Sequence, residues 1–400
     1  MMFEYFPDNY PWSMATLMAI NAGGTLSEID KELSDLKKVA GKNDTQANES
    51  WHKAWCSLGA KNFVLAQNDI KLGRTLSAGN KFFRSAAYFM TGERMCSSQS
   101  PERLETYKKM LNSFELGQKN LKTHGQRVYV PFGESKLPAL FYPAEGSSAN
   151  KPAPCIIHFD GLDVMKEFLF LIGLPQEYAK RGISTLLLDH PGVGEALRIH
   201  DLKLTPETEI PAKAALDYLE ERNDIINEKI GIAGISLGGY YAPRAAGFEP
   251  RIKCVIAWGA INDYGSITRG RLDGTGTNLS VSHWEEHMHW VLGTSKKEEI
   301  LEVTSKMTLD EALPNIRCPI LVLHGESDRQ IPVDLAKKTI SEATNSPKAD
   351  LKIFSAQEGG VEHCQVDNPK IAMEHMADWA SEIFGVNTYP IWDLGVKKKW

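Results

Sequence analysis

Apolar residues in the first quarter of the chain recur at helical spacing. Leu26, Ile29, Leu33 and Leu36 form one stripe, with Ser27 placed to cap the helix and Asp30 in its first turn. Trp51, Trp55 and Leu58 form a second stripe, and Leu104, Tyr107, Leu111 and Phe114 a third, after Pro101. No strand pattern interrupts them, so residues 1–125 read as a helical domain whose aromatic stripes are core. The opening Tyr5–Trp12 differs: Pro7 and Pro11 break it, so it cannot be one regular helix, and it is expected to fold back over a pocket.

The pattern changes after Gly125 to short β-rich runs. Arg127–Phe132 and Leu137–Tyr142 read as an antiparallel pair at a sheet edge. Cys155–Phe159, Gly182–Asp189, the run at Ile230–Ala233, Lys253–Trp258, the run from Cys318 and Leu351–Phe354 read as buried strands. Helical stretches separate them, among them Pro211–Ile226 with proline at its start. This alternation predicts an α/β fold, a mainly parallel, doubly wound sheet covered on both faces. Roughly 60 residues part Trp258 from Cys318, far more than an ordinary connection. We therefore expect a catalytic domain over 126–400 that carries an inserted helical cap at about 260–312.

One stretch carries the chemistry. Gly234-Ile235-Ser236-Leu237-Gly238 has the G-x-S-x-G form of a nucleophile elbow, where a strand turns sharply into a helix. The context is right, with Ile230, Ile232 and Ala233 before it and a helix-compatible run from Tyr240 after it. This places the fold in the α/β-hydrolase class. A serine needs a base and an orienter, which in this fold follow in the order Ser, acid, His. Asp328, in the turn after the Cys318 strand, is the acid, with Glu326 the runner-up. His363, on the loop after Leu351–Phe354, is the base. His324 is read as structural. The Leu237 amide supplies one oxyanion donor, and an amide of Gly161 or Leu162 the other. Asp163 fits less easily, since an ionised carboxylate there opposes an oxyanion. It points away, pairs with a cation such as Lys166, or is protonated and donates; a helix cap is the plain alternative. Asp163, Tyr240, His283, Trp284 and His287 are candidate substrate contacts. His283 and His287 share a helix face, but no third ligand accompanies them, so no metal is expected.

Composition narrows the picture further. The chain has 400 residues, 42% hydrophobic and 24% charged, with a net charge of −6. That balance argues against nucleic acid as a partner. No apolar run approaches the ~18 residues of a membrane span, and the N-terminus lacks a secretion signal. Cys56, Cys96, Cys155, Cys254, Cys318 and Cys364 show no C-x-x-C spacing, which suits a reducing cytoplasm. The Lys397–Lys399 run reads as a solvated tail.

The chain also resembles a known family. The helical N-terminal region with E-Y-F-P-D-N-Y-P-W, the G-L-D-x-x-K-E segment at Gly161–Glu167, G-I-S-L-G-G at Gly234–Gly239, H-G-E-S-D-R-Q-I-P at His324–Pro332 and E-H-C-Q at Glu362–Gln365 look like the group of 2,6-dihydroxypseudooxynicotine hydrolase. That group includes the fungal yellowish-green-type hydrolases that shorten polyketides. The resemblance covers nearly the whole chain. It implies hydrolysis of carbon–carbon bonds beside carbonyls, with some members acting on esters, through Ser236, Asp328 and His363, in a homodimer. The expected activity is cofactor-free cleavage of a C–C bond in a small β-dicarbonyl or acylated aromatic or polyketide substrate. A carboxylesterase or lactonase using the same residues is the alternative within enzymes. A peptidase of the prolyl oligopeptidase type is disfavoured because no N-terminal β-propeller is apparent. Outside enzymes, the alternative is a hydrolase-like binding protein.

Overall fold

The computed structural model describes residues 2–42 and 44–386, so the Lys397–Lys399 run lies outside the described residues. Five helices come first: α1 (Tyr10–Asn21), α2 (Leu26–Leu33), α3 (Thr45–Lys71), α4 (Thr75–Arg94) and α5 (Pro101–Leu121). Pro11 sits in the first turn of α1, where its missing N–H costs nothing, and Asn9 caps the helix by accepting from the Trp12 amide at 3.0 Å. At α2 the capping position belongs to Thr25, not Ser27, because the helix already begins at Leu26. The long α4 packs between α3 and α5. Phe6, Trp12, Trp51, Trp55 and Tyr88 form a continuous aromatic core, successive ring centroids lying 4.8–5.9 Å apart.

Eight strands follow: β1 (Gln126–Phe132), β2 (Ser135–Tyr142), β3 (Ala153–Phe159), β4 (Ser184–Leu188), β5 (Ile225–Ile235), β6 (Val255–Trp258), β7 (Ile320–Gly325) and β8 (Ala349–Phe354). They form one sheet in the order β1-β2-β4-β3-β5-β6-β7-β8. β1 and β2 are antiparallel, as is β2 against β4; all remaining pairs are parallel. β3, β4, β6 and β7 are buried along their whole length, because helices cover both faces, and this explains their predominantly apolar sequences.

One helix departs from the sequence reading at both ends, beginning at Glu209, two residues before Pro211. The helix expected to reach Ile226 ends at Glu220, and Ile225 opens β5. Arg222 and Asp224 close a two-pronged ion pair of 2.9 and 2.8 Å across the intervening turn, and the β-branched Ile225 then pairs with Ala153. Between β6 and β7 lie the helices Tyr264–Leu272, Trp284–Leu292 and Lys297–Thr304. An isolated bridge between Asp263 and Thr308 ties the two ends of this insertion together.

Candidate active site

β5 ends at Ile235, Ser236 and Leu237 form the turn, and the helix Gly238–Phe248 follows. Ser236 has φ +58°, the left-handed region that residues with a Cβ rarely occupy. The surroundings impose it: the Ser236 amide donates to the Trp258 carbonyl at 2.7 Å, and the Gly239 amide to the Ser236 carbonyl at 2.7 Å. The turn also demands glycine at Gly234, where a Cβ would collide with the Gly238 carbonyl oxygen.

The Ser236 hydroxyl lies 2.8 Å from His363 Nε2, and His363 Nδ1 lies 2.7 Å from Asp328 Oδ2. Asp328 stands on the turn after β7, where its other oxygen accepts from the amides of Gln330 and Ile331 at 2.8 and 2.9 Å. Burial by itself would raise the Asp328 carboxyl, but His363, His324 and the Ile331 amide outweigh it and hold the group below its usual range. Burial likewise opposes charge on His363, yet Asp328 raises that imidazole well above its ordinary value. His324 donates to the Ile331 carbonyl at 3.0 Å and stands 3.6 Å from Asp328 Oδ2, so it buttresses the turn. Glu326 faces outward and accepts from the Ala356 amide.

The loop carrying His363 is held by Asp367 and Trp258, two residues that the sequence did not advertise. The Asp367 carboxylate accepts from the amides of Gly360, Val361 and Glu362, each at 3.1 Å. Cys364 and Gln365 follow with φ +49° and +51°. Trp258 holds that strained turn. Its indole donates to Gln365 Oε1 at 2.6 Å, and its carbonyl accepts from the Cys364 thiol at 3.4 Å as well as from the Ser236 amide. One residue at the end of β6 thus anchors both the serine and the histidine turns.

The turn after β3 lies on the other side of Ser236. A Cβ on Gly161 would stand 2.9 Å from Ser236 Cβ, so only glycine lets the backbone come this close. His287 Nε2 donates to the Leu162 carbonyl at 3.3 Å. Asp163 Oδ1 pairs with Arg94 Nη2 at 3.1 Å, and Arg94 Nη1 donates to the Asp163 carbonyl at 2.8 Å. Of the open readings of Asp163, pairing with a cation is the one this geometry matches, though the cation differs. Its partner is Arg94, from the end of α4, and not Lys166, which is engaged with Asp189, Glu167 and Glu195 at 2.6, 2.8 and 3.2 Å. Asp163 is also not protonated: burial favours the neutral acid, but the Arg94 guanidinium overrides it and lowers the pKa.

Ser236, His363, Cys364 and Trp258 line a pocket with a free volume of about 50 Å³. Val164, Phe168 and Ile172 form an apolar wall, Arg94 and Asp163 a polar corner, and Met14, Met18 and Asn21 of α1 a roof. Four expected contacts fall elsewhere. Tyr240 is buried one turn into its helix and donates to the Pro206 carbonyl at 2.9 Å. His283 faces a separate cleft with His52, Cys96 and Glu286. Trp284 packs in the core under the Arg271 guanidinium, 5.4 Å from its ring centroid. His287 is buried outside the pocket lining, with its Nε2 on the Leu162 carbonyl. Conversely, nothing in the sequence marked Arg94, since a lone arginine at a helix end ordinarily faces solvent. Among the described residues, no group of three or more His, Cys, Asp or Glu is arranged to hold a metal ion, and no helix is long and apolar enough to cross a membrane.

This strand order, with a serine at the sharp turn leaving β5, defines an α/β-hydrolase, and the chain is an enzyme of the hydrolase type. Residues 212–387 match the Prolyl oligopeptidase family, a span that contains Ser236, Asp328 and His363. The chain is 27% identical to the 20-hydroxy-prefusarin hydrolase of Gibberella moniliformis, with 91% of this chain and 94% of that protein covered. It is 26% identical to the 2,6-dihydropseudooxynicotine hydrolase of Paenarthrobacter nicotinovorans, covering 86% and 88%. The crystal structure of a 2,6-dihydroxy-pseudo-oxynicotine hydrolase superposes with a TM-score of 0.72 at 25% identity, covering 94% of this chain and 98% of that one. The resemblance read from the motifs is thus borne out along nearly the whole chain, its helical N-terminal part included.

Proposed function

We propose that this chain hydrolyses a carbon–carbon bond next to a carbonyl, in a small β-dicarbonyl or acylated aromatic or polyketide molecule, with Ser236, His363 and Asp328 as its triad. The observation that carries the reading is the unbroken hydrogen-bond chain from the Ser236 hydroxyl through His363 to Asp328, at 2.8 and 2.7 Å. Ser236 attacks the carbonyl carbon as His363 takes its proton, and Asp328 stabilises the imidazolium. The amides of Leu237 and of Gly161 or Leu162 receive the oxyanion. Collapse of the adduct expels an enolate, which His363 protonates, and an acyl group stays on Ser236. His363 then removes a proton from water, whose attack releases the carboxylic acid and restores the serine. No cofactor enters. The choice of a carbon leaving group rests on the resemblance to the pseudooxynicotine and polyketide-shortening hydrolases; an ester or lactone would use the same residues.

The same reading takes 1–125 as a helical domain and 126–400 as the catalytic domain, with the cap at about 260–312, in a cytoplasmic homodimer. The test is Ser236→Ala, which should lower kcat by at least ~10³, leaving only oxyanion and binding effects. Near-normal turnover by the folded variant would refute the assignment. Product analysis across β-diketones, acylated phenols and simple esters decides the bond class: cleavage of esters alone would favour the carboxylesterase. A wild-type protein that a fluorophosphonate fails to label would be a binding protein.

A further inference from the structure

Two polar atoms at the corner of the pocket have no partner among the described residues. Arg94 spends Nη1 on the Asp163 carbonyl and Nη2 on the Ser280 carbonyl and Asp163 Oδ1, at 2.8, 3.3 and 3.1 Å. Its Nε–H is buried with no acceptor among the described residues. Asp163 Oδ2 is buried and equally without a partner. Both side chains are more than nine-tenths buried, at 8% and 9% exposure, so bulk water does not satisfy these atoms. Burying a hydrogen-bonding atom unmatched is unfavourable, and where one survives it points to something that fills the site. Both residues share the pocket with Ser236 and His363.

We propose that Arg94 Nε–H and Asp163 Oδ2 bind a neutral hydroxyl-and-carbonyl group of the substrate, the guanidinium donating to the carbonyl oxygen and the carboxylate accepting from the hydroxyl. This rests on the hydrolase reading above and narrows its substrate class. The charge arithmetic is what selects a neutral group. The ion pair sums to zero, so an anionic substrate end would meet the Asp163 carboxylate and a cationic end the guanidinium. His287, beside the turn, adds no charge to the pair: burial first, then Arg103, pushes it down to about 3. Asp163 itself is an acceptor, because Arg94 keeps it ionised against the effect of burial. Around this corner the walls are apolar, with Val164, Phe168 and Ile172, so a hydroxyl or carbonyl finds few competing partners. The backbone bonds of Arg94 lock the turn at Asp163 to the cap at Ser280, which fixes both unmatched atoms before a ligand arrives.

Three matched probes test the assignment by calorimetric titration of the full-length protein: 4-hydroxy-4-phenylbutan-2-one, its O-methyl ether, and 3-hydroxy-3-phenylpropanoate. The first offers donor and acceptor without charge, the second has lost the donor, and the third replaces the ketone by a carboxylate. The hydroxy ketone should bind at least ~10-fold more tightly than either of the others, the effect of one lost hydrogen bond to a charged group. Asp163→Asn, which offers an amide of the same size, should bring hydroxy ketone and ether within about threefold of each other. Equal affinities for all three probes, tightest binding of the carboxylate, or no binding of any would overturn the proposal, and these are read on the wild type whether or not the variant folds. Fluorophosphonate labelling of Ser236, run alongside, reports on the hydrolase reading independently, so the failure of one is not mistaken for the failure of the other.

Discussion

At the scale of single residues, the contact that governs reactivity in the proposed reaction is the one between Asp328 and His363. Asp328 holds the imidazole in one orientation and raises its pKa well above the ordinary value, against the effect of burial. A base must be neutral to accept a proton, so kcat/KM in the proposed reaction falls as pH drops through the His363 pKa of the free enzyme. Asp328→Asn removes the charge that favours imidazolium. The acid limb should therefore move to lower pH, while kcat at the plateau drops by ~10³–10⁴ because the tautomer is no longer fixed. A pH–rate profile checks both, and an acid limb that stays put or moves upward would argue against this electrostatic role. Much of this constellation was legible in advance. Ser236, Asp328 and His363 each sit in a short motif at a strand end, and strand ends are where this fold collects chemistry. Arg94 was not legible, because its environment is made by Asp163 and Ser280, which lie 69 and 186 positions away along the chain. Tyr240 misled for the opposite reason. Closeness to Ser236 in sequence says nothing of direction, and one turn of helix carries its side chain into the core.

Among elements, the junction between the N-terminal helices and the sheet depends on a buried ionic cluster. Glu93 of α4 meets Arg103 of α5 at 2.6 Å, and Arg198, in the connection after β4, at 2.8 Å. All three side chains are at most 5% exposed. Burial alone would raise the Glu93 carboxyl; the two guanidinium groups instead hold it at about 2, below the usual 4.5. Its folded-state pKa is depressed, so it adds stability above its unfolded pKa, and that stability disappears as pH falls from about 4.5 towards about 2. Glu93→Gln should cost about 3 kcal/mol at neutral pH, the order expected when two buried cations lose their counter-charge. Urea titrations at pH 7 and pH 3 measure it, and the variant should show a smaller loss between the two than the wild type. An unchanged midpoint would mean that the cluster is replaceable. Sequence periodicity located most of these elements, because burial on a helix stripe or a covered strand leaves a regular trace. It failed at the end of the Pro211 helix, where the Arg222–Asp224 turn decides the boundary, and it had no view of how α4 meets the sheet.

For the molecule as a whole, the N-terminal segment is part of the pocket. Met14, Met18 and Asn21 of α1 roof it, Asn21 donates to the Val366 carbonyl at 2.8 Å, and Arg329 bridges Glu4 and Glu362 at 2.7 and 3.0 Å. Deleting residues 1–125 removes this roof together with Arg94 and Glu93, and it bares Val164 and Phe168. Activity and solubility should be lost together; a monodisperse, fully active fragment would show that the helices are an appendage.

The free volume beneath that roof, about 50 Å³, is far below the roughly 300 Å³ at which ligand pockets begin. A molecule of the proposed class does not fit that space, so in the proposed reaction α1 has to shift to admit a substrate and again to release its acid. A gate of this kind acts as a common clock. Substrates with leaving groups of very different reactivity should converge on one kcat, and that ceiling should fall as solvent viscosity rises. Glu4→Ala, which removes one tether of the roof, should raise the ceiling without steepening the dependence on leaving group. A kcat that tracks leaving-group pKa across the whole series would place the slow step in bond cleavage instead.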